Sequence, residues 1–410
     1  MNVALVDTTL VGPVIGGAQT FLVDLAAGLV EQGLAVHVVT AGQPEHRIAA
    51  GLSQTGASVH TDLWPSTYLV EDIAAGLASW VHNLNPDVYI VSVSPDIGWA
   101  VLPFLQPQIA TVAIAHGDSA TFFHPMAHYA PYLTWAVGVS ETVCERLRTE
   151  CELPTERVVW IPYGVYPGQD PGLLNAPNAD GPLRIIYAGR LTDSQKRASD
   201  VIRIVERLRP TALNYQLRVV GDGPLMGDFC RELAPEIAAG RAAMMGWLSR
   251  EDLHKQLDQS DVFILTSDSE GFPIALVEAM AHGLAPVVTD IPSGNRQLVR
   301  HLENGMLAPV GAIDDFVAGI QRLDRDRQLL RSLRAAAWQN GQRFTVQRMI
   351  RSYLDCFTNA TKAVEASHRM PDPKFPLMGR CQSRYPLWLR RLKLAVGRVR
   401  PQTSGIRPQT

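Results

Sequence analysis

Short apolar runs alternate with amphipathic helical stretches along most of the chain, and this alternation constrains the fold more than any other feature. Residues 3–6 have the composition of a buried strand, and residues 16–30 that of a helix with one apolar stripe. Parallel sheets covered by helices produce this pattern, because the strands are buried on both faces and the crossovers are helical. The further predicted strands are residues 35–40, 88–93, 111–115, 135–139, 158–161, 184–187, 216–220, 242–245, 262–266 and 286–289. The chain is therefore predicted to be an α/β protein with doubly wound parallel sheets.

The alternation is interrupted by one segment rich in proline and glycine. A chain of 410 residues is long enough for two domains. Residues 166–182 are interpreted as the linker between a first domain, residues 1–165, and a second domain, residues 183–345. Residues 346–365 are predicted to form a helix that returns to the first domain, and residues 366–410 a basic, partly disordered tail.

Composition indicates a globular protein with a large core. The chain is 46% hydrophobic and 19% charged, and it has no apolar run of the length that spans a membrane. Its N-terminus has the pattern of a first core strand rather than that of a signal peptide. The five cysteines are scattered without metal-ligand spacing, which favours reduced thiols in the cytosol. We therefore expect a cytoplasmic protein.

The C-terminal tail is strongly basic. Nine lysines and arginines follow Pro371, against the single acid Asp372. Residues 385–400 alternate apolar and basic side chains in a broadly helical period, as interfacial membrane helices do. A contact with an anionic membrane on the cytoplasmic face and a helix packed on the acidic body both fit this segment. Nucleic acid is not an expected partner, because the tail has few aromatic residues for stacking. The sequence leaves the oligomeric state open.

Residues 268–283 carry the most chemical information. Glu270 lies in a glycine–proline turn after a strand, and Glu278 follows eight residues later on the helix that the turn begins. Pro273 fits the first helical position and Gly283 the C-terminal cap. At about 1.5 Å per helical residue, the two carboxylates are expected roughly 8–10 Å apart along one groove. That span, beside a helix N-terminus that attracts phosphate, suits a nucleotide-sugar better than it suits two solvated surface acids.

Other chemically suggestive residues also follow predicted strands. Arg190 and Lys196 come after residues 184–187, where a doubly wound sheet binds its ligands, and two cations there can neutralise a diphosphate. His116 ends another strand and can reach a sugar hydroxyl from the cleft wall. Gly16 and Gly17 precede a helix and allow backbone to approach phosphate closely. A second glycine turn, residues 221–227, lacks the spacing of a dinucleotide-binding motif. Metal binding is not expected, because no histidine or cysteine cluster has ligand spacing.

Together these segments resemble the family 4 retaining glycosyltransferases, which have the GT-B architecture of two Rossmann-like domains facing a central cleft. The resemblance covers roughly residues 1–360. The matching segments are Gly16-Gly17, Ala115-His116-Gly117, Val139-Ser140, Ile161-Pro162-Tyr163-Gly164, Ala188-Gly189-Arg190 with Lys196, Val220-Gly221-Asp222-Gly223-Pro224, Gly246-Trp247, Ser269-Glu270-Gly271-Phe272-Pro273, Glu278-Ala279-Met280-Ala281 and Pro286-Val287-Val288. One departure is Arg197, which stands after Lys196 where many relatives have glycine and is expected to alter the phosphate loop.

The resemblance implies a role for each site residue. Glu278 would hold the ribose hydroxyls, and Glu270 the donor sugar. The backbone N–H groups that follow Glu270 would help to hold that sugar, and these residues are Gly271, Phe272, Pro273 and Ile274. Arg190 and Lys196 would bind the diphosphate with help from Gly16 or Gly17. His116 would contact the sugar, and the base would lie near Trp247 and Leu248. The family needs no metal and no cofactor besides its nucleotide-sugar substrate.

The expected function is transfer of a sugar, with retention, from a nucleoside diphosphate to a saccharide or lipid-linked acceptor in cell-surface polysaccharide or glycolipid synthesis. Retention by front-face attack and retention through a covalent intermediate both stay open, although no convincing nucleophile is present. A nucleotide-sugar epimerase or phosphorylase on the same fold is one alternative. A catalytically silent nucleotide-sugar-binding subunit is another.

Overall fold

The computed structural model describes residues 1–10, 16–61, 63, 69–94, 97–170, 181–292, 294–365, 371–372 and 377–378. Residues 171–180 of the predicted linker, most of the basic tail with its amphipathic stretch 385–400, and residues 66–68 of a first-domain loop lie outside the described residues. Within that description, no helix has both the length and the apolar character needed to cross a bilayer.

The first domain is a parallel sheet with helices on both faces. In the described residues its seven strands are β1 (Asn2–Val6), β2 (Ala35–Val39), β3 (Ser58–His60), β4 (Val88–Val91), β5 (Ala110–Ala115), β6 (Trp135–Gly138) and β7 (Val158–Trp160). Their order is β3-β2-β1-β4-β5-β6-β7. The helices are α1 (Gly17–Glu31), α2 (His46–Ser53), α3 (Val70–Leu84), α4 (Ile97–Ala100), α5 (Ala120–Tyr129) and α6 (Glu141–Glu150).

The second domain repeats this design. Its described strands are β8 (Leu183–Ala188), β9 (Tyr215–Val220), β10 (Ala242–Gly246), β11 (Val262–Leu265), β12 (Ala285–Thr289) and β13 (Met306–Ala308), in the order β10-β9-β8-β11-β12-β13. Its helices are α7 (Ser199–Leu208), α8 (Met226–Glu232), α9 (Ala234–Ala238), α10 (Arg250–Asp258), α11 (Ile274–Ala281), α12 (Gly294–Leu298), α13 (Ile313–Arg325) and α14 (Arg327–Gly341), and the chain continues into α15 (Val346–Glu365). Both strand orders are doubly wound, which confirms the predicted fold class.

Local sequence accounts for most of these elements. The apolar stripe of α1 is buried, as its spacing predicts, and α6 begins after Ser140, whose hydroxyl accepts a hydrogen bond from the Val143 N–H at 3.2 Å. The three-residue strands β3 and β13 were not predicted, because their sequences, Ser-Val-His and Met-Leu-Ala, lack the run of β-branched and aromatic residues that marks the equally short β7. Helix α15 contacts α1 and β5 of the first domain, and backbone hydrogen bonds join Val165 to Phe344 and Val346 where the chain crosses back.

Both sheets reverse their strand order between two central strands, and the carboxyl ends of these strands meet the same cleft. In the first domain the reversal lies between β1 and β4, and in the second between β8 and β11. Ligands of doubly wound sheets bind outside the carboxyl ends of the strands at this position. The fold therefore places the loops that follow four particular strands around one interdomain space.

Candidate active site

A cleft between the domains forms a cavity of about 1570 Å³, and every residue with a predicted role in catalysis or substrate binding lines it. The first domain contributes Gly16, Gly17 and His116. The second domain contributes Arg190, Lys196, Trp247, Leu248, Glu270, Gly271, Phe272, Pro273, Ile274 and Glu278. The cavity exceeds the usual volume of a pocket for one small ligand, roughly 300–1000 Å³. It has room for two substrates side by side.

The two glutamates of the turn and its helix are nearly buried, at 5% exposure for Glu270 and 9% for Glu278. They are therefore not solvated surface acids. An oxygen of Glu270 accepts hydrogen bonds from the Lys196 ammonium and from the Ser267 hydroxyl, each at 2.6 Å. A buried carboxylate needs such partners, because desolvation without them is costly. The sequence did not predict this pairing of Lys196 with Glu270.

The loop after β8 holds its two cations close to the turn. A guanidinium nitrogen of Arg190 donates to the Gln195 side-chain oxygen at 2.9 Å. The Thr266 hydroxyl lies 3.0 Å from the carbonyl oxygens of both Lys196 and Arg197, which ties the loop to the end of β11. The loop is thereby fixed with Arg190 and Lys196 on the cavity wall.

Arg197 adopts a left-handed backbone conformation, with φ of 45°. Glycine adopts this conformation without strain, whereas a residue that carries a Cβ is strained there. The guanidinium of Arg197 donates to the Asp200 carboxylate at 2.7 Å, which helps to hold the strained residue. The loop thus has a turn that suits glycine although the residue is arginine.

The two helix N-termini meet across the cleft. Gly16 is the N-cap of α1, and its N–H donates to the Gln19 side chain at 2.9 Å. On the other side Pro273 is the N-cap of α11 rather than its first helical residue, since its ψ of 100° is extended. This corrects the predicted position by one residue. A Cβ on Gly17 would lie 3.0 Å from the Ile274 side chain, so these ends are in contact. Both ends direct a partial positive charge into the cavity.

Gly271 lies against the first domain. A Cβ at this position would meet the His116 carbonyl oxygen at 2.4 Å and the Gly117 Cα at 2.6 Å. Both contacts are backbone atoms, which cannot rotate away as a side chain can. The closed arrangement of the cleft therefore requires glycine at residue 271.

His116 is held in a chain of buried hydrogen bonds. Its Nδ1 lies 2.6 Å from the Tyr163 hydroxyl and its Nε2 2.9 Å from the Ser92 hydroxyl. Ser92 in turn donates to the Asp7 carboxylate at 3.1 Å. This assigns the proton of the neutral ring to Nε2, with Tyr163 donating to Nδ1. Burial lowers the pKa of His116 to about 3, so the ring is uncharged at neutral pH.

The hydrogen-bond chain bears on the predicted role of His116. Both of its ring nitrogens are already bonded within the first domain. A sugar hydroxyl would have to displace Ser92 or Tyr163 to reach either one. The expected direct contact between the imidazole and a sugar is therefore not supported by this arrangement. The main contribution of His116 to the cleft wall is its carbonyl oxygen beside Gly271.

The two sides of the cavity are also bridged by side chains that the sequence did not suggest. The Arg47 guanidinium lies 4.2 Å from the centre of the Trp247 ring, a cation–π distance. Arg250 on α10 donates to Asp24 on α1 at 2.7 Å. Burial raises the pKa of Asp24 to about 6 although Arg250 opposes the shift. These contacts join the domains beside Leu248, where the base was predicted.

Sequence reasoning missed Asp7 and Ser92 as well as these bridging residues, and it named Tyr163 in a matching segment without predicting a role for it. A signal did exist for Asp7 and Ser92, because each directly follows a predicted or observed strand at the cleft. No comparable signal marked the three bridging residues Asp24, Arg47 and Arg250. They lie on helices, where the sequence does not distinguish a charged residue at the cleft from one on the solvent-exposed surface. Among the described residues, no group of three or more histidine, cysteine or acidic side chains is arranged to hold a metal ion. Four described cysteines, Cys144, Cys151, Cys230 and Cys356, are free thiols.

Two family models match consecutive parts of the chain. The model described as "Glycosyltransferase Family 4" matches residues 15–169, and the one described as "Glycosyl transferases group 1" matches residues 175–341. The two matches meet near the predicted linker. Between them they include the glycine turn of α1, the cationic loop and the two-glutamate segment.

Individual curated proteins are also similar to parts of this chain. An exopolysaccharide phosphotransferase from Streptomyces coelicolor is 24% identical over 75% of this chain and 32% of its own length. A lipopolysaccharide 1,6-galactosyltransferase from Salmonella typhimurium is 35% identical over 36% of this chain and 41% of its own length. The chain thus spans less than half the length of these curated relatives.

Among solved structures, the Anabaena protein HepE in complex with UDP and glucose has a similar fold. Its TM-score is 0.68 with 18% sequence identity, and the match covers 87% of this chain and 99% of that one. At this identity the similarity concerns the fold alone.

Proposed function

Because the chain belongs to the family 4 glycosyltransferases with the GT-B fold, we propose that it transfers a sugar from a nucleoside diphosphate to a saccharide or lipid-linked acceptor, with retention and without a metal. The observation that carries the proposal is that Arg190, Lys196, Glu270 and Glu278 line the same side of one cavity, around α11 and the turn that precedes it. This set matches the parts of a nucleotide-sugar. Arg190 and Lys196 suit the central diphosphate, and each glutamate suits the hydroxyls at one end, the ribose at Glu278 and the sugar at Glu270.

In this proposal the donor lies along the carboxyl ends of the strands of the second domain. Glu278 accepts hydrogen bonds from the ribose, and the base lies near Trp247 and Leu248. Glu270 and the backbone N–H groups after it hold the sugar. The diphosphate lies between these ends, where Arg190, Lys196 and the start of α1 at Gly16 and Gly17 neutralise its charge.

The chemistry then follows from charge. The sugar–phosphate bond breaks with oxocarbenium character, and negative charge grows on the departing phosphate. Lys196 bonds Glu270 in the structure, and a phosphate oxygen would compete for the same ammonium. The cationic charge would thereby shift towards the leaving group as that bond breaks. The domains in contact at Gly271 exclude water and so limit hydrolysis.

The decisive experiment is an assay of purified protein with nucleotide-sugars and acceptors in the presence of a chelator. Transfer should persist with the chelator and be lost in Glu270→Ala and Arg190→Ala. Matched controls are Glu251→Ala and Arg207→Ala, whose side chains are 81% and 66% exposed and lie outside the cavity. Full activity of both site variants would refute the site assignment. The anomeric configuration of the product, read by NMR, tests retention.

The products also separate this function from its alternatives. Release of nucleoside diphosphate with a lengthened acceptor supports transfer. An isomerised donor would indicate an epimerase, and an intact donor with every acceptor would indicate a binding subunit. A panel of nucleotide-sugars screened by thermal stabilisation identifies the donor. UDP-sugars are the first choice, because HepE was solved with UDP and glucose.

We further propose that the acceptor is presented at the cytoplasmic face of a membrane, in surface polysaccharide or glycolipid synthesis. The support is the basic stretch 385–400 and the similarity to a lipopolysaccharide galactosyltransferase. Cosedimentation with vesicles containing anionic lipid should be strong at low salt and weak when residues 385–400 are deleted. Equal cosedimentation of both proteins would refute this role.

A further inference from the structure

Behind Glu278, two histidine–carboxylate pairs lie between the parallel helices α10 and α11. His254 and Asp258 are four residues apart on α10, and Glu278 and His282 are four apart at the end of α11. Residues with this spacing lie on one helix face. The facing pairs are in register, with His254 Nε2 3.8 Å from a Glu278 oxygen and His282 Nδ1 2.6 Å from an Asp258 oxygen.

The two pairs differ in how complete they are. His282 donates from Nδ1 to Asp258, and burial lowers the pKa of His282, so that this pair is a formed hydrogen bond with a neutral ring. In the described residues Nε2 of His254 and Nε2 of His282 are both buried without a hydrogen-bond partner, and the His254 nitrogen faces a carboxylate oxygen of Glu278. The 3.8 Å from His254 Nε2 to the nearest Glu278 oxygen is about 1 Å longer than a hydrogen bond. An unpaired buried ring nitrogen is unfavourable, and in the tautomer that carries the proton on Nε2 a small movement of the carboxylate towards it is favoured.

His254 faces Glu278 from the side opposite the ligand. Glu278 lines the cavity, whereas His254 is not among the described residues that do. The other charged groups near Glu278 are Arg250 and Asp24, which bond each other at 2.7 Å across the cleft. The ring of His254 is held by the ring of His282, with their centres 4.5 Å apart. His254 is thus a packed ring whose Nε2 faces the Glu278 carboxylate from outside the cavity.

We propose that His254 is the positioning residue for Glu278. Its Nε2–H donates to one carboxylate oxygen and turns the other towards the cavity, where the ribose hydroxyls bind. This inference rests on the proposed function, since it deepens the role of Glu278 in holding the ribose. According to this inference, His254 strengthens the preference for a ribonucleotide over a deoxyribonucleotide without contacting the nucleotide.

The test compares how the protein binds UDP and 2′-deoxy-UDP, measured by calorimetry. If the donor panel selects another base, the corresponding ribonucleoside diphosphate and its 2′-deoxy form replace these probes. Wild type should prefer the ribonucleotide by roughly tenfold or more, because a hydrogen bond to a charged carboxylate is lost with the hydroxyl. His254→Leu should reduce this preference to about twofold or less, and His254→Gln, which retains an N–H donor, should restore most of it.

Asp258→Ala is the matched control. It breaks the neighbouring pair on the same two helices and leaves the side chains of both His254 and Glu278 present. We expect a lower melting temperature for this variant with the ribose preference of wild type. A role of His254 in folding alone would change the melting temperature and leave the preference unchanged.

The outcomes separate the two proposals. Unchanged preference in His254→Leu overturns the role of His254 and leaves sugar transfer standing. Wild-type binding of UDP without preference overturns ribose recognition by Glu278 and the role of His254 with it. Failure of every nucleoside diphosphate to bind overturns the proposed function itself.

Discussion

Replacement of Gly271 by alanine tests whether the closed cleft is the active arrangement. The added Cβ would lie 2.4 Å from the His116 carbonyl oxygen and 2.6 Å from the Gly117 Cα, whereas ordinary contacts of a Cβ begin at 3.4 Å. The turn must therefore move away from the first domain by about 1 Å, because backbone atoms on either side cannot yield separately. A displacement of that size at a reacting centre costs roughly 100-fold in rate, or about 2.7 kcal/mol in the activation barrier.

The assay is kcat/KM for sugar transfer by Gly271→Ala, with Gly227→Ala as the matched control. A Cβ on Gly227 meets no atom within 4 Å, and alanine is favoured over glycine in a helix such as α8. The control should match wild type in kcat/KM, and both variants should keep a melting temperature close to that of wild type. Small-angle scattering should show a wider interdomain separation in Gly271→Ala alone. Transfer by Gly271→Ala within about threefold of wild type would refute the requirement for close contact at this residue.

Three further changes test other contacts of the site. Lys196→Ala should destabilise the protein by about 3 kcal/mol in denaturant unfolding, because Glu270 would remain buried without its cation; an unchanged free energy of unfolding would contradict the pairing. The pKa of Asp24 is raised to about 6 in the folded protein, so the folded state binds this proton more tightly than the unfolded state, and the contribution of Asp24 to stability increases as pH falls through 6. The melting temperature of wild type should therefore rise relative to that of Asp24→Asn between pH 7 and pH 5, and a difference that stays constant over this range would contradict the raised pKa. Tyr163→Phe should cost about 1–3 kcal/mol in unfolding free energy, because His116 Nδ1 would lose its donor while staying buried; a melting temperature equal to that of wild type would exclude the assigned hydrogen bond.

The larger elements of the fold were predictable because their signals are local. The strands β1, β5 and β11 are continuous apolar runs, and α1 has one apolar stripe, so each reveals its own burial without reference to the rest of the chain. Proline and glycine mark the ends of α11 for equally local reasons. The short strands β3 and β13 could not be predicted in this way, because they are strands through their pairing with β2 and β12 and not through their composition.

The residues of the candidate site were predictable for a related reason. In a doubly wound sheet the ligand lies at the carboxyl ends of particular strands, so a polar residue just after a strand is marked by position alone. That rule indicated His116, Arg190, Lys196 and Glu270, and in the structure all four line the same cavity, His116 from the first domain and the others from the second. Their individual roles stay predictions until they are measured.

The sequence by itself determined which segments are strands or helices and which polar residues reach the cleft, since both depend on neighbours along the chain. Only the tertiary structure decided which side chains bond one another. Lys196 and Glu270 are 74 residues apart, and Asp24 and Arg250 are 226 apart. The order of the strands and the closure of the domains bring such pairs together, and no periodicity in the chain records either one. The same holds for the two bonds that occupy the ring of His116, which packing alone selects.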